Sequence, residues 1–495
     1  MLRSRRTDDA ADAVSSPVWA SPRAIRYGGL TGSLLLALAA VLGGARTALW
    51  LGAGPSATWN LPFGPGILAS WLVGLILLTV AWWQGLRGVP GLGWAASTVA
   101  LWSAPLLAAT PYGSRDLYSY ACQGAGLAAG RDPYAEGPAA MPCPWLGSVS
   151  NIWRETPAPY GPLFVLLAGL AVTVGGVLWA SVAVLKLAAV IGVVMTGVGV
   201  PMAARRRGLD PSAAFWLILA CPLAPLHLIG GGHNDALMIG FAVLGIAVIL
   251  AAPDGGRRRL WLLLAGGALL GAAVMVKATA GVLLPFAVLL AGRSTGLVDL
   301  VRQGWAVIVG AVVTVAGLTF LPGLGFGWVG ALRHSGDSIQ WTSPPTAVGQ
   351  TIDYVGRLVG LPGSAVPAVR LVAMVALLAA LVWIWWRAWR DGADPLLAAG
   401  LAMFAVVALS PVFHPWYLLL PLATLAVAAS TARWRLFAAI SAVAGFLVLP
   451  DGSGLVRYVK FPGAPLMTIT VVVVAVRVWR ARPGRAEARP DLSTV

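Results

Sequence analysis

The residues able to do chemistry gather in a few short segments. Asp116 lies in PYGSRDLYSY, beside Arg115 and ahead of Tyr118 and Tyr120. A carboxylate so placed can take a proton from a hydroxyl group; it equally fits a helix N-cap or an ion pair with Arg115. Arg131-Asp132-Pro133-Tyr134 has the composition of a turn, and Trp153, Arg154 and Tyr160 follow in a proline-broken stretch. Arginine and aromatic side chains suit a site that stacks a sugar ring and holds a phosphate. The same residues collect at membrane–water interfaces, and with 23 Trp in the chain any single one reads first as interfacial.

A third segment, Gly230-Gly231-Gly232-His233-Asn234-Asp235, interrupts helical pattern. Its glycines let backbone approach a ligand or a neighbouring helix. Asn234 or Asp235 fits a helix cap, but three adjacent polar side chains exceed what one cap needs. Lys277 stands in a tight turn, either as a cation for outer phosphates or as a snorkelling side chain. Arg333, His334 and Asp337 precede TSPPTAVG, and the run from Ser410 to Tyr417, with His414 inside it, is a proline-punctuated aromatic turn. No P-loop, Rossmann glycine fingerprint or supported Ser–His–Asp order is present, and no Cys/His spacing resembles a zinc site.

The elements that must position these residues follow from composition. Of 495 residues, 58% are hydrophobic and 11% charged, with a mean hydropathy of +0.82. A soluble domain carries about 25% charged residues, so the chain is an integral membrane protein. Its apolar runs are continuous rather than alternating, which excludes a β-barrel. The runs predict an all-α polytopic bundle of about fourteen spans between Tyr27 and Trp479, opening with Tyr27–Trp50 and including Pro211–Ile229, Asp235–Leu250 and Ala464–Trp479. Three parts are expected: a basic tail 1–26, a transmembrane domain 27–480 with a large outer loop 111–181, and a tail 481–495.

The 34 Lys+Arg against 18 Asp+Glu give +16, but the cations cluster between apolar runs, as in Arg205–Arg207 and Arg257–Arg259. That pattern marks cytoplasmic loops rather than a nucleic-acid surface. With both termini inside, Pro162–Ala180 reads as a helix dipping from the outer loop; the alternative is that it spans. Asp116, Asp132, Glu136, Glu155, Asp235, Asp337, Asp353 and Asp451 then lie outside, with all four His at outer ends. Ionisable groups so placed are functional candidates. Cys122 and Cys143 share the outer loop, where an oxidising compartment permits a bridge; two free thiols are the other possibility.

Taken together, SRDLYSYACQG, RDPYAEGP, WRETPAPYGPLF, GGHNDALMIG and SPPTAVG resemble the polyprenol-phosphomannose-dependent alpha-1,6-mannosyltransferases of mycobacterial and corynebacterial lipomannan synthesis. These are GT-C glycosyltransferases, multispan enzymes with an outer-leaflet active site. The resemblance implies a polyprenyl-phosphate mannose donor, a mannoside or lipomannan acceptor, inversion at the anomeric carbon and no cofactor. It makes Asp116 the catalytic acid residue of the first outer loop. Many relatives place two neighbouring acids there; Arg115 beside Asp116 speaks against a metal role. Arg154, Lys277 or Arg333 would then hold the donor phosphate. His233, Asn234 and Asp235 would bind hydroxyls, beside Arg115, Tyr118, Tyr120, Asp132, Tyr134, Tyr160, His334 and His414. The competing class is a transporter or flippase of a lipid-linked sugar, which the many spans and the Gly230–Gly232 break would also suit.

Overall fold

The computed structural model describes residues 21–45, 54–292, 294, 296–361, 363–428 and 434–480. Residues 1–20 of the expected tail 1–26, the tail 481–495 and the far end of Tyr27–Trp50 lie outside the described residues. Among the described residues the chain is all helical, with no strand.

The main helices are α1 (Pro22–Gly43), α2 (Gly64–Gly85), α3 (Leu92–Ala108), α4 (Asp116–Ala128), α5 (Pro162–Gly175) and α6 (Leu178–Arg206). There follow α7 (Pro211–Leu219), α8 (Asp235–Leu250), α9 (Gly256–Val276), α10 (Leu284–Ala291), α11 (Leu297–Phe320) and α12 (Pro344–Leu358). The last are α13 (Val366–Arg390), α14 (Pro395–Leu409), α15 (Leu419–Ala426), α16 (Trp434–Ala444) and α17 (Lys460–Arg480). Among the described residues seven helices, α1, α2, α6, α9, α11, α13 and α17, are long and apolar enough to cross a membrane. The chain is a multi-pass membrane protein.

Several expected spans are shorter or differently divided. Asp235–Leu250 forms as expected, but its 16 residues rise only about 24 Å at 1.5 Å each, against about 30 Å of hydrocarbon. Pro211–Ile229 breaks into α7 and a π-helical turn, Ala224–Gly230, bent by 63°; Pro222 and Pro225 lack the N–H groups a continuous helix needs there. Pro162–Ala180 is not one element either. It breaks at Gly176, whose φ of 68° ends α5, and its last residues open the 29-residue α6. Arg23 and Arg26, expected in the tail, belong to α1, which Ser21 caps by accepting the Ala24 N–H.

Close packing comes from small residues. The faces of α6 and α8 meet where a Cβ on Gly192 would run into the Ala236 carbonyl and one on Gly240 into Gly192 O. Such contacts let helices associate in lipid, where apolar burial alone offers no drive. Further along, α8 packs on α9 and α9 on α11, while α12 lies against α13 and α17. Not every Trp is interfacial: Trp82, Trp102 and Trp216 are fully buried, and the Trp216 indole donates to Trp82 O at 2.9 Å.

Candidate active site

The path to Asp116 is fixed before the residue is reached. Lys186 of α6, almost fully buried, donates to Leu106 O, Leu107 O and Ala109 O at 3.3, 3.2 and 2.7 Å. These are carbonyls left over at the end of α3, where the helix dipole favours a cation. Beyond it the Tyr112 N–H donates to Gly230 O, and the Gly113 N–H to Pro450 O. Asp116 then opens α4, its N–H donating to Ser114 Oγ at 3.0 Å.

The partner of Asp116 is not Arg115 but His233, whose Nδ1 lies 3.3 Å from Asp116 Oδ2. His233 is held by the π-helical turn, its N–H donating to His227 O, and by Gly232 at φ 60°, where a Cβ would come 2.8 Å from Leu117. Burial pushes the Asp116 carboxyl up, but the His233 and His414 rings and the Ser114 hydroxyl prevail and hold it below the usual carboxylate range. Asp116 keeps 17% of its side chain open while His233 keeps none, so the acid is the member that can meet a ligand.

A second acid–cation pair stands alongside. Asp235 opens α8 and takes Lys277 Nζ at 2.8 and 3.0 Å. Lys277 also lies over the Tyr417 ring at 4.4 Å, so its ammonium is shared between a carboxylate and an aromatic ring. Asn234 holds the cap position of α8 without making a cap bond, and among the described residues neither end of its buried amide has a partner. Sequence spacing missed Trp416, on which both His233 (3.8 Å between ring centres) and His414 (4.6 Å) stack. Lys186 was missed as well, and His227, a candidate only as one of four outer histidines, lies buried 5.0 Å from Trp416. Tyr120 packs edge-on against Tyr160 and Phe164, closing one wall.

Other expected residues lie apart from this cluster. Tyr118 donates its hydroxyl to Ala45 O at 2.6 Å. Arg115 reaches Ser148 O, and Arg154 reaches Val149 O, each at 3.2 Å; burial and the nearby Arg154 both lower the Arg115 pKa, against Tyr118 and Asp451. Asp132 accepts the Tyr134 N–H, an Asx turn that sends Tyr134 into a separate apolar cluster with Met275 and Trp328. Arg333 and His334 bond to each other in a short 3₁₀ turn. Cys122 and Cys143 are bridged, tying α4 to the outer loop, and Cys221 is free and buried.

Residues 26–293 match the family described as "Alpha-(1->6)-mannopyranosyltransferase, N-terminal domain", and residues 345–478 match "MptB C-terminal domain". The chain belongs to the alpha-(1→6)-mannopyranosyltransferase family. It is 34% identical to alpha-(1→6)-mannopyranosyltransferase A of Mycobacterium tuberculosis over 90% of both chains. It is 29% identical to alpha-(1→6)-mannopyranosyltransferase B of Corynebacterium glutamicum over 78% of this chain and 69% of that one. No solved structure matches it. The candidate site straddles the two matched regions: Asp116, His233, Asp235 and Lys277 come from the first, His414, Trp416 and Tyr417 from the second.

Proposed function

We propose that this mannosyltransferase moves mannose from polyprenyl-phosphate mannose to a mannan or lipomannan acceptor on the outer face of the membrane, with inversion. The observation that carries this reading is the Asp116–His233 pair: a carboxylate held ionised, partly open, at a helix start. Asp116 takes the proton of the acceptor 6-hydroxyl as that oxygen bonds to the anomeric carbon. The bond from the anomeric carbon to the phosphate oxygen breaks from the opposite face, so a β-linked donor gives an α-linked product. The leaving polyprenyl phosphate carries away the electron pair, and the cationic side of Lys277 offsets the charge that develops. His233, stacked on Trp416, orients the carboxylate.

Arg154 and Arg333 make local contacts, and of the three cations it is Lys277 that stands beside Asp235 and Tyr417. Asn234, with an unpartnered amide beside Asp235, is the better candidate to bind a sugar hydroxyl. Purified protein incubated with labelled polyprenyl-phosphate mannose and a short α-mannoside tests the proposal. An α-1,6-linked product, with polyprenyl phosphate released in equal amount, is the expected result. Donor consumed without a new glycosidic bond, or moved between leaflets of a vesicle without transfer, would replace it with hydrolysis or transport.

A further inference from the structure

Arg370 sits near the start of α13, in a segment whose sequence reads as one more span. Its guanidinium nevertheless collects three carbonyls from two separate loops. It donates to Gly336 O at 2.6 Å, to Ser338 O at 2.8 Å and to Pro411 O at 3.1 Å. Its Nε donates to Thr346 Oγ1 at 3.0 Å, and that hydroxyl itself donates to Pro411 O at 2.8 Å. Ser343 adds a further tie to the same turn, its hydroxyl donating to Ser410 O at 2.7 Å. SPPTAVG and the aromatic turn after Ser410, far apart in the chain, are thus fastened to one another.

Pro411 is three residues ahead of His414, and the contacts continue without a gap. His414 stacks on Trp416, Trp416 on His233, and His233 meets Asp116. Apart from the 3.3 Å approach of its Nδ1 to Asp116, the His233 ring has no close polar partner among the described residues, so it rests on the stack with Trp416. Trp416 is carried by the turn whose Ser410 and Pro411 carbonyls are held by Ser343, Thr346 and Arg370.

We propose that Arg370 is a positioning residue for mannosyl transfer, clamping the 410–417 turn so that the His414–Trp416–His233 stack is pressed against Asp116. This rests on the function proposed for Asp116. A planar fork is needed, since a lysine ammonium is a single point and cannot span carbonyls of two loops. Loss of the clamp lets the stack drift. A displacement of about 1 Å far from the reacting atoms can cost about 100-fold in rate, and it also releases the Asp116 carboxyl towards its ordinary range. The groups that face Asp116 are His233, His414, Lys277, Asp235, Tyr120, Tyr160, Tyr417 and the Ser114 hydroxyl. Of these, the drift moves the rings of His414 and His233, which together with the Ser114 hydroxyl hold the carboxyl down.

The test compares wild type with Arg370→Gln and Arg370→Lys in two measurements. Hydrogen exchange of the peptides covering 332–338 and 408–417 should quicken in both variants, with no activity needed to see it. In the transfer assay kcat should fall roughly 10- to 100-fold, and the acid limb of its pH profile should move upward, with Lys no better than Gln. A variant with wild-type exchange at 408–417, or one whose acid limb stays in place, would overturn the clamp. If neither variant folds, Thr346→Val removes the two bonds of that hydroxyl, from Arg370 Nε and to Pro411 O, keeps the guanidinium's three carbonyl bonds, and should shift both readouts the same way by less; no shift there is equally fatal. A wild type that transfers no mannose would defeat the proposed function while leaving the exchange result to judge the clamp.

Discussion

Asp116 meets two opposed influences, burial that favours its neutral form and histidine rings that favour its anion. The rings win, so at neutral pH the residue is already the base that transfer requires. Asp116→Asn keeps shape and removes basicity, so turnover at saturating donor should drop about 100- to 10,000-fold with the melting temperature little changed; near-normal transfer would end the general-base role. The same depression sets a pH rule. A carboxyl whose folded pKa lies below its unfolded one stabilises the fold above the unfolded value, and that contribution disappears as pH falls through the folded value. Activity should therefore persist below the ordinary carboxylate range before its acid limb appears, checked by kcat against pH with the melting temperature recorded beside it. Asp235 differs, because its partner is a lysine with only 16% of its side chain open. Asp235→Asn strands that ammonium, a loss of roughly 3–5 kcal/mol when one member of a buried pair goes. The double variant with Lys277→Met should regain much of the melting temperature and none of the activity.

The elements were readable to different depths. Apolar runs marked nearly every helix, because burial in lipid demands continuous apolar sequence with its backbone bonds satisfied internally. Their ends were less readable: Pro211–Ile229 looked like one span, and only its prolines hinted at the break. Asp116, His233, Asp235 and Lys277 stood out as polar groups in apolar surroundings, yet which cation met which acid did not. Neighbours in sequence, Arg115 and Asp116, point to different partners, whereas Asp116 and His233 meet only because α4 and the turn before α8 are packed together. Trp416 was hidden by the abundance of Trp, and Lys186 by looking like any cation inside a span. Removing the latter makes its role measurable: Lys186→Met leaves three carbonyls at the end of α3 without their donor. We expect a lowered melting temperature and a kcat loss larger than any change in donor KM, since the segment leading to Asp116 is loosened while Lys277 is untouched. The bridge between Cys122 and Cys143 closes a loop of separation 21, worth about 3 kcal/mol by chain entropy. Both thiols should resist labelling until reduced, and labelling without reduction would show that the bridge is absent.

At the scale of the molecule, the proposal puts the Asp116 cluster outside and the arginine clusters inside. Reporter fusions at Arg206, Arg258 and Arg387 should read cytoplasmic and one at Gly137 external. An external reading at Arg206 would overturn the reading of Pro162–Ala180 as non-spanning and shift every later loop. A different consequence follows from where the site residues lie along the chain. Lys277 belongs to the segment matched at 26–293 and Tyr417 to the one matched at 345–478, yet their side chains touch, as do His233 and Trp416. Neither half is therefore a free-standing module, and the join between them is a poor place for recombination. A hybrid that takes its first half from one relative and its second from another inherits two faces of a single stack that were never selected together. Such lineages should be rescued by compensating changes on both sides of the seam, so that the two halves drift through evolution as a pair.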